Sequence, residues 1–160
     1  MKTMVERPYV NHVPTMTGGL GHEDLRRFYD EYFIPGNPES LKMKLVSRTV
    51  GVDKVVDELY VTFDHTEEMP WILPSMPPTN KHVEVALVCV VSIEGGKVGR
   101  EHIYWDQASV LVQIGLLDPK HIPTSAKDLE IKELPVAGAE SARKVLDETS
   151  EPSNKLLDDW

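Results

Sequence analysis

The chain of 160 residues predicts an α+β fold built on an antiparallel sheet, and three observations carry that prediction. Two-residue alternation dominates the centre, between Leu41 and Trp105. Helical spacing appears before it and again after it. Gly95-Gly96 stands between two β-like runs, where a tight hairpin needs residues that accept positive φ.

The elements follow in order. A loop-like opening, "VPTMTGGLG", leads into a helix over His22–Phe33, in which Leu25, Phe28, Tyr29, Tyr32 and Phe33 recur at helical spacing behind the first-turn acids Glu23 and Asp24. Pro35, Gly36 and Pro38 end it. "LKMKLVSRTV" and "KVVDELYVTF" read as two strands joined by a turn at Gly51-Val52-Asp53, with Leu59, Val61 and Phe63 on one face. "EEMPWILPSMPPTN" carries four prolines and is expected to cross the sheet as a loop. A strand over His82–Ile93, its hairpin partner Val98–Trp105 and a short helix over Gln107–Leu117 complete a domain spanning residues 1–118. Residues 119–160 read as a polar C-terminal arm with one helix near 138–148 and a frayed end.

With 17 basic and 26 acidic residues, a net charge of −9 and no Lys/Arg cluster, the chain offers no stripe for tracking phosphates, so nucleic acid and anionic membrane surfaces are not expected partners. The longest apolar run, Val85–Ile93, is about half the length a membrane-spanning helix needs. The N-terminus has no apolar signal region, and the single Cys89 cannot form an intrachain disulfide, so a cytoplasmic location is the expectation.

On the strand Val98–Asp106 the period of two sets Arg100, His102, Tyr104 and Asp106 on one face and Glu101, Ile103 and Trp105 on the other. If the first face walls a cavity, it brings a base, an acid, a cation and a phenol to a ligand. Asp106 also precedes a helical pattern, so it serves equally well as an N-cap. His65 shares the parity of Leu59, Val61 and Phe63 and points where the core points, as a pocket residue or a hydrogen-bonded core histidine. His12 falls in a segment able to close a pocket mouth, or is a plain loop residue, and Trp71 is a substrate-binding candidate. There is no G-x-S-x-G elbow, no H-E-x-x-H or C-x-x-C spacing, and no phosphate-binding glycine loop in its required context. Neither a cofactor nor a metal is implied, and Cys89 between Val88 and Val90 lacks the setting of a nucleophile.

The order "YVNHVP…TGG…LRRFY", "VTFDHTEE…LPSMPPTNKHVEV" and "GGKVGREHIYWDQASVLVQIGLL" resembles the SnoaL-like branch of the nuclear-transport-factor-2-like superfamily. It is most similar to the version appended to dienelactone hydrolase (carboxymethylenebutenolidase)-type proteins. The resemblance covers about residues 4–119. It implies a cone-shaped, strongly curved antiparallel sheet around helices, an internal apolar pocket and, commonly, a homodimer. It further implies cofactor-free acid/base chemistry on a small apolar carbonyl compound by cyclisation, isomerisation or dehydration. Asp106, nine residues before Gly115, stands where the cyclases carry a catalytic Asp; His102 or His65 would be its proton partner, and Tyr104 or Arg100 would stabilise an enolate. The superfamily also includes non-catalytic binding and dimerisation modules, and that alternative stays open. Two departures accompany the resemblance. The usual long first helix has no counterpart before Tyr9, so the C-terminal arm, a partner chain or sequence preceding this start would have to cover the cone. The lactonase triad of dienelactone hydrolases belongs to the other domain of those proteins and does not carry over.

Overall fold

The computed structural model describes residues 2–147, 149 and 150. Six strands form one sheet: β1 (Met4–His12), β2 (Thr17–Leu20), β3 (Lys42–Val50), β4 (Lys54–Asp64), β5 (His82–Glu94) and β6 (Lys97–Trp105), in the order β2-β1-β6-β5-β4-β3. Helix α1 (Gly21–Arg27) runs on into a π-helical turn over Phe28–Phe33; α2 is Gln107–Gln113 and α3 is Ala139–Lys144. The architecture is α+β, with an open, mixed sheet. Two expectations are corrected. The sheet is not wholly antiparallel, because β1 pairs with β6 in parallel through Val10↔Glu101 and His12↔Ile103. The segment "VPTMTGGLG" is not a loop throughout, since Thr17–Leu20 forms β2, and the preceding Met4–His12, where no element is expected, forms β1.

Glycine hid β2 ("TGGL"), since it is depleted in strands. At Gly18, with φ +136°, a Cβ would lie 2.1 Å from the carbonyl oxygen of Val10, so only glycine allows β2 this close to β1. The Gly95-Gly96 hairpin forms where the sequence puts it, both residues at positive φ (57° and 76°), matching the twist of the flanking strands.

The π-helical turn has a packing consequence. The Ile34 amide donates to the Tyr29 carbonyl, 3.0 Å and five residues back. This widened turn aligns residues five apart, which brings the rings of Phe28 and Phe33 to 5.9 Å, while Tyr29 and Phe33 stand 5.6 Å apart. These rings pack onto the sheet face that carries Val61, Phe63, Val83, Val85 and Ile103, with Trp71, Ile72 and Leu73 of the proline-rich loop closing one side of the core. That face is called the inner face below. Helix α1 packs on β1 and β2, α2 on β5, and α3 on β5 and α2.

The start of β5 extends past the end of β6 and would leave an unpaired edge. Gln113 fills it: its Oε1 accepts the Glu84 amide at 2.8 Å and its Nε2 donates to the Glu84 carbonyl at 2.9 Å. The Glu84 side chain points away from the inner face, and Arg143 of α3 meets it with two hydrogen bonds of 2.8 and 2.6 Å. Tyr60 also donates to this carboxylate. Arg143 holds the Glu84 pKa well down, to about 2. The described part of the arm therefore clasps the outer side of the sheet and leaves the inner side of β3 and of the Lys54–Leu59 half of β4 open, while Val61 and Phe63 are buried. The helix expected near 138–148 is regular only over Ala139–Lys144; Glu148 and the expected frayed end at 151–160 lie outside the described residues. Glu84 is 7% exposed, so removing its partner strands a charge. Arg143→Ala is expected to lower the stability of the fold, by less than the full cost of breaking a buried pair because Arg143 itself reaches solvent; urea unfolding checks this. Among the described residues, no helix is long and apolar enough to cross a membrane.

Candidate functional site

Between the inner face and the π-helical turn lies a cavity of about 120 Å³. The strand register explains its floor. Residues directly opposite one another share a face, so His12 (β1), Ile103 (β6) and Cys89 (β5) form one row, with Glu101 in the row on one side of it and Leu87 in the row on the other. Tyr29 and Phe33 roof it, Trp71 closes one side, and Met43 and Leu59 stand at the end nearest the uncovered strands.

His12 is 4% exposed and ringed by aromatic groups: Phe28 and Trp71 at 5.4 Å between ring centroids, Phe33 and Trp105 at 6.0 Å. Its Nδ1 lies 3.2 Å from the carbonyl oxygen of Thr17. A carbonyl only accepts, so Nδ1 carries the proton and Nε2 keeps its lone pair. Burial drives the pKa down from 6.5 to about 4, against a smaller opposing effect of the Thr17 bond. His12 is thus neutral at physiological pH and presents an acceptor. The sign of the linkage follows: the unfolded chain binds this proton from pH 6.5 down, the folded chain only near pH 4, so stability is lost as pH falls through that window. An NMR titration should show the Nδ1–H tautomer persisting to about pH 4, where an ordinary histidine has titrated near 6.5.

Glu101 is half-buried, and its carboxyl has no hydrogen-bond partner among the described residues. No Lys or Arg lines the cavity, and desolvation alone pushes the Glu101 pKa up. Tyr29 faces the same space; burial, then the proximity of Glu101 and Cys89, raise its phenol to about 12. Burial raises the Cys89 thiol to about 12 as well, with Glu101 and Asp57 adding to the effect, so it is a protonated wall group rather than a nucleophile. The cavity therefore offers a carboxyl poised to exchange a proton, a neutral imidazole acceptor and a phenol donor in apolar surroundings.

Of the residues singled out in the sequence, His12 and Trp71 come together here. The others do not. Arg100, His102 and Tyr104 do share a face, but it is the outer one: Arg100 and His102 border a shallow depression with Arg7 and Tyr9, and the His102 ring stands 5.5 Å from Tyr9 and 6.3 Å from Tyr104. Asp106 is exposed and caps α2, its Oδ1 accepting the Ser109 amide at 3.2 Å. His65 is fully buried away from the cavity lining. Its Nδ1 accepts the Thr79 amide at 3.3 Å and contacts the Thr79 hydroxyl at 3.0 Å, which ties the two ends of the proline-rich loop together. That leaves the proton on Nε2, which has no partner among the described residues, and burial lowers the pKa. The sequence reading missed Glu101, Tyr29 and the inner-facing Cys89. A signal for Glu101 was present: it is the one charged residue on the parity of Ile103 and Trp105.

No protein-family model matches the chain, and no curated protein sequence does. Solved structures do match. A protein assigned as a SnoaL-like polyketide cyclase from Jannaschia sp. CCS1 is similar at 21% identity, with 73% of this chain and 76% of that one covered and a TM-score of 0.55. AclR from Streptomyces galilaeus, assigned as a hydroxylase, is similar at 20% identity over 73% and 81% of the two chains, with a TM-score of 0.55. A nuclear-transport-factor-2-like protein of unknown function from Burkholderia pseudomallei K96243 shares 13% identity over 71% and 81%, with a TM-score of 0.52. The fold is therefore that of the SnoaL-like and nuclear-transport-factor-2-like structures, a fold that carries differently assigned activities.

Proposed function

We propose that this chain is a SnoaL-like small-molecule enzyme that moves protons on an uncharged carbonyl compound without a cofactor, by isomerisation, cyclisation or dehydration. The observation that carries this reading is the unpartnered Glu101 carboxyl in a cavity without cations. A raised carboxyl pKa makes a better base for a carbon acid and a usable acid for the return step. In the proposed step Glu101 takes the proton α to the carbonyl, and the Tyr29 hydroxyl donates to the oxygen on which charge develops. The His12 Nε2 lone pair accepts from a hydroxyl of the substrate and fixes its orientation. Because no cation lines the cavity, a substrate carboxylate has no partner there, so the substrate is neutral at its reacting end.

The test needs no knowledge of the natural substrate. Deuterium exchange at the α-carbons of cyclohexanone, followed by NMR, should be accelerated by the protein and should fade as pH falls toward and below the raised Glu101 pKa. If a neutral ring binds the cavity but exchange is no faster than in buffer, the chain is a binding module and the catalytic reading is wrong.

A further inference from the structure

The cavity of about 120 Å³ holds no more than about one ring, since a cavity of about 150 Å³ accommodates benzene. It does not stop at a wall. Met43 and Leu59 line it, and both belong to the uncovered strands, where the inner face continues in cross-strand rows. One row runs Trp105, Leu87, Leu59, Leu45; another runs Glu101, Val91, Val55, Val50. The β3 residues of this face are open to solvent: Met43 is 49% exposed, Leu45 46% and Val50 71%. The charged groups between the two rows are Arg48 and Asp57, joined by hydrogen bonds of 2.6 and 2.7 Å, so they satisfy each other and leave no free charge for a ligand. From β6 to β3 the shelf spans about 14 Å, three strand spacings.

Resting on the reading of the cavity given above, we propose that the substrate has two parts: a neutral reacting ring that enters beside His12 and Glu101, and an uncharged apolar tail that leaves past Met43 and Leu59 to lie across β5, β4 and β3. Continuity decides for a substrate tail over a separate partner. Met43 and Leu59 line the cavity and stand on this shelf, so a ligand seated in the cavity has an apolar path outward along it. A polar or anionic tail would meet apolar side chains and an already satisfied ion pair.

The experiment measures the affinity of 4-methylphenol, 4-butylphenol and 4-octylphenol, neutral enol mimics, for the full chain and for Leu45→Lys, by calorimetry or Trp fluorescence. Leu45 lies on the exposed edge strand, outside the reacting end. Affinity should rise about twofold per added methylene, what half-burial of a CH2 group gives. Leu45→Lys should bind 4-methylphenol unchanged and lose most of the gain from the longer tails. If 4-methylphenol fails to bind, the cavity reading itself fails. If it binds and longer tails add nothing, the shelf is covered by something other than substrate and the proposal is overturned. A gain that persists in Leu45→Lys places the tail elsewhere and overturns it equally.

Discussion

Glu101→Gln should slow protein-catalysed deuterium exchange into cyclohexanone by about 10²- to 10⁴-fold, the usual contribution of a positioned proton-transfer group. The substitution keeps the shape of the side chain and removes only its ability to take a proton, so thermal stability and 4-methylphenol binding should be retained. Removing a half-buried carboxyl that has no partner relieves desolvation, so the variant should be at least as stable as the parent. Asp106→Asn is the necessary contrast. Asn caps a helix about as well as Asp, and Asp106 does no more in the structure than accept the Ser109 amide. That variant should keep both its stability and its exchange rate. The reverse pattern, exchange lost in Asp106→Asn and kept in Glu101→Gln, would return the chemistry to the other face of β6.

Trp71→Ala should be the most damaging single truncation, costing about 3–5 kcal/mol as large buried aromatic residues do. Trp71 is 1% exposed and touches the rings of His12, Phe33 and Trp105 at 5.4, 5.5 and 5.8 Å. Its Nε1 donates to Asn37 Oδ1 at 2.9 Å, and its carbonyl accepts the hydroxyls of Thr15 at 2.7 Å and Thr17 at 3.1 Å. One residue thus joins the β1–β2 turn, the segment after the π-helical turn and the proline-rich loop. Truncation to Ala opens the cavity wall and removes the Asn37 bond, while the backbone carbonyl keeps its bonds to Thr15 and Thr17. Trp71→Phe keeps a ring in the wall and loses the Asn37 bond, so about 1–2 kcal/mol is expected, the usual cost of a broken hydrogen bond. Urea unfolding of the two variants separates packing from anchoring: equal losses would mean that the ring contributes nothing beyond its hydrogen bond.

Much of the fold was legible because it rests on local rules. Alternation gave β4, β5 and β6, and Gly95-Gly96 gave the hairpin. Helical spacing gave α1 and its continuation, although no pattern announces that residues Phe28 and Phe33 will be aligned by a widened turn. The parallel pairing of β1 with β6 was not legible, since it joins segments far apart in sequence through a strand interrupted by Pro8 and a register shift. The site failed at one step. A period of two says which residues of β6 share a face and nothing about which face is inside. Reading chemistry first favoured Arg100, His102, Tyr104 and Asp106. Reading burial first favours Ile103 and Trp105, and makes Glu101 the residue that needs explaining. His12 was legible as a pocket-mouth or loop histidine but not as a buried one, because its aromatic neighbours come from three separate segments: the π-helical turn, the proline-rich loop and the end of β6.

The proposed site lies on the inner face of β6, and intermolecular NOEs from 4-methylphenol test that most directly, because side-chain protons report the two faces separately. Contacts from the ligand ring to Ile103, Leu87 and Trp71, with none to Tyr9, His102 or Tyr104, are the expected result. Contacts to Tyr9, His102 and Tyr104 instead would contradict it and place the functional surface on the outer face.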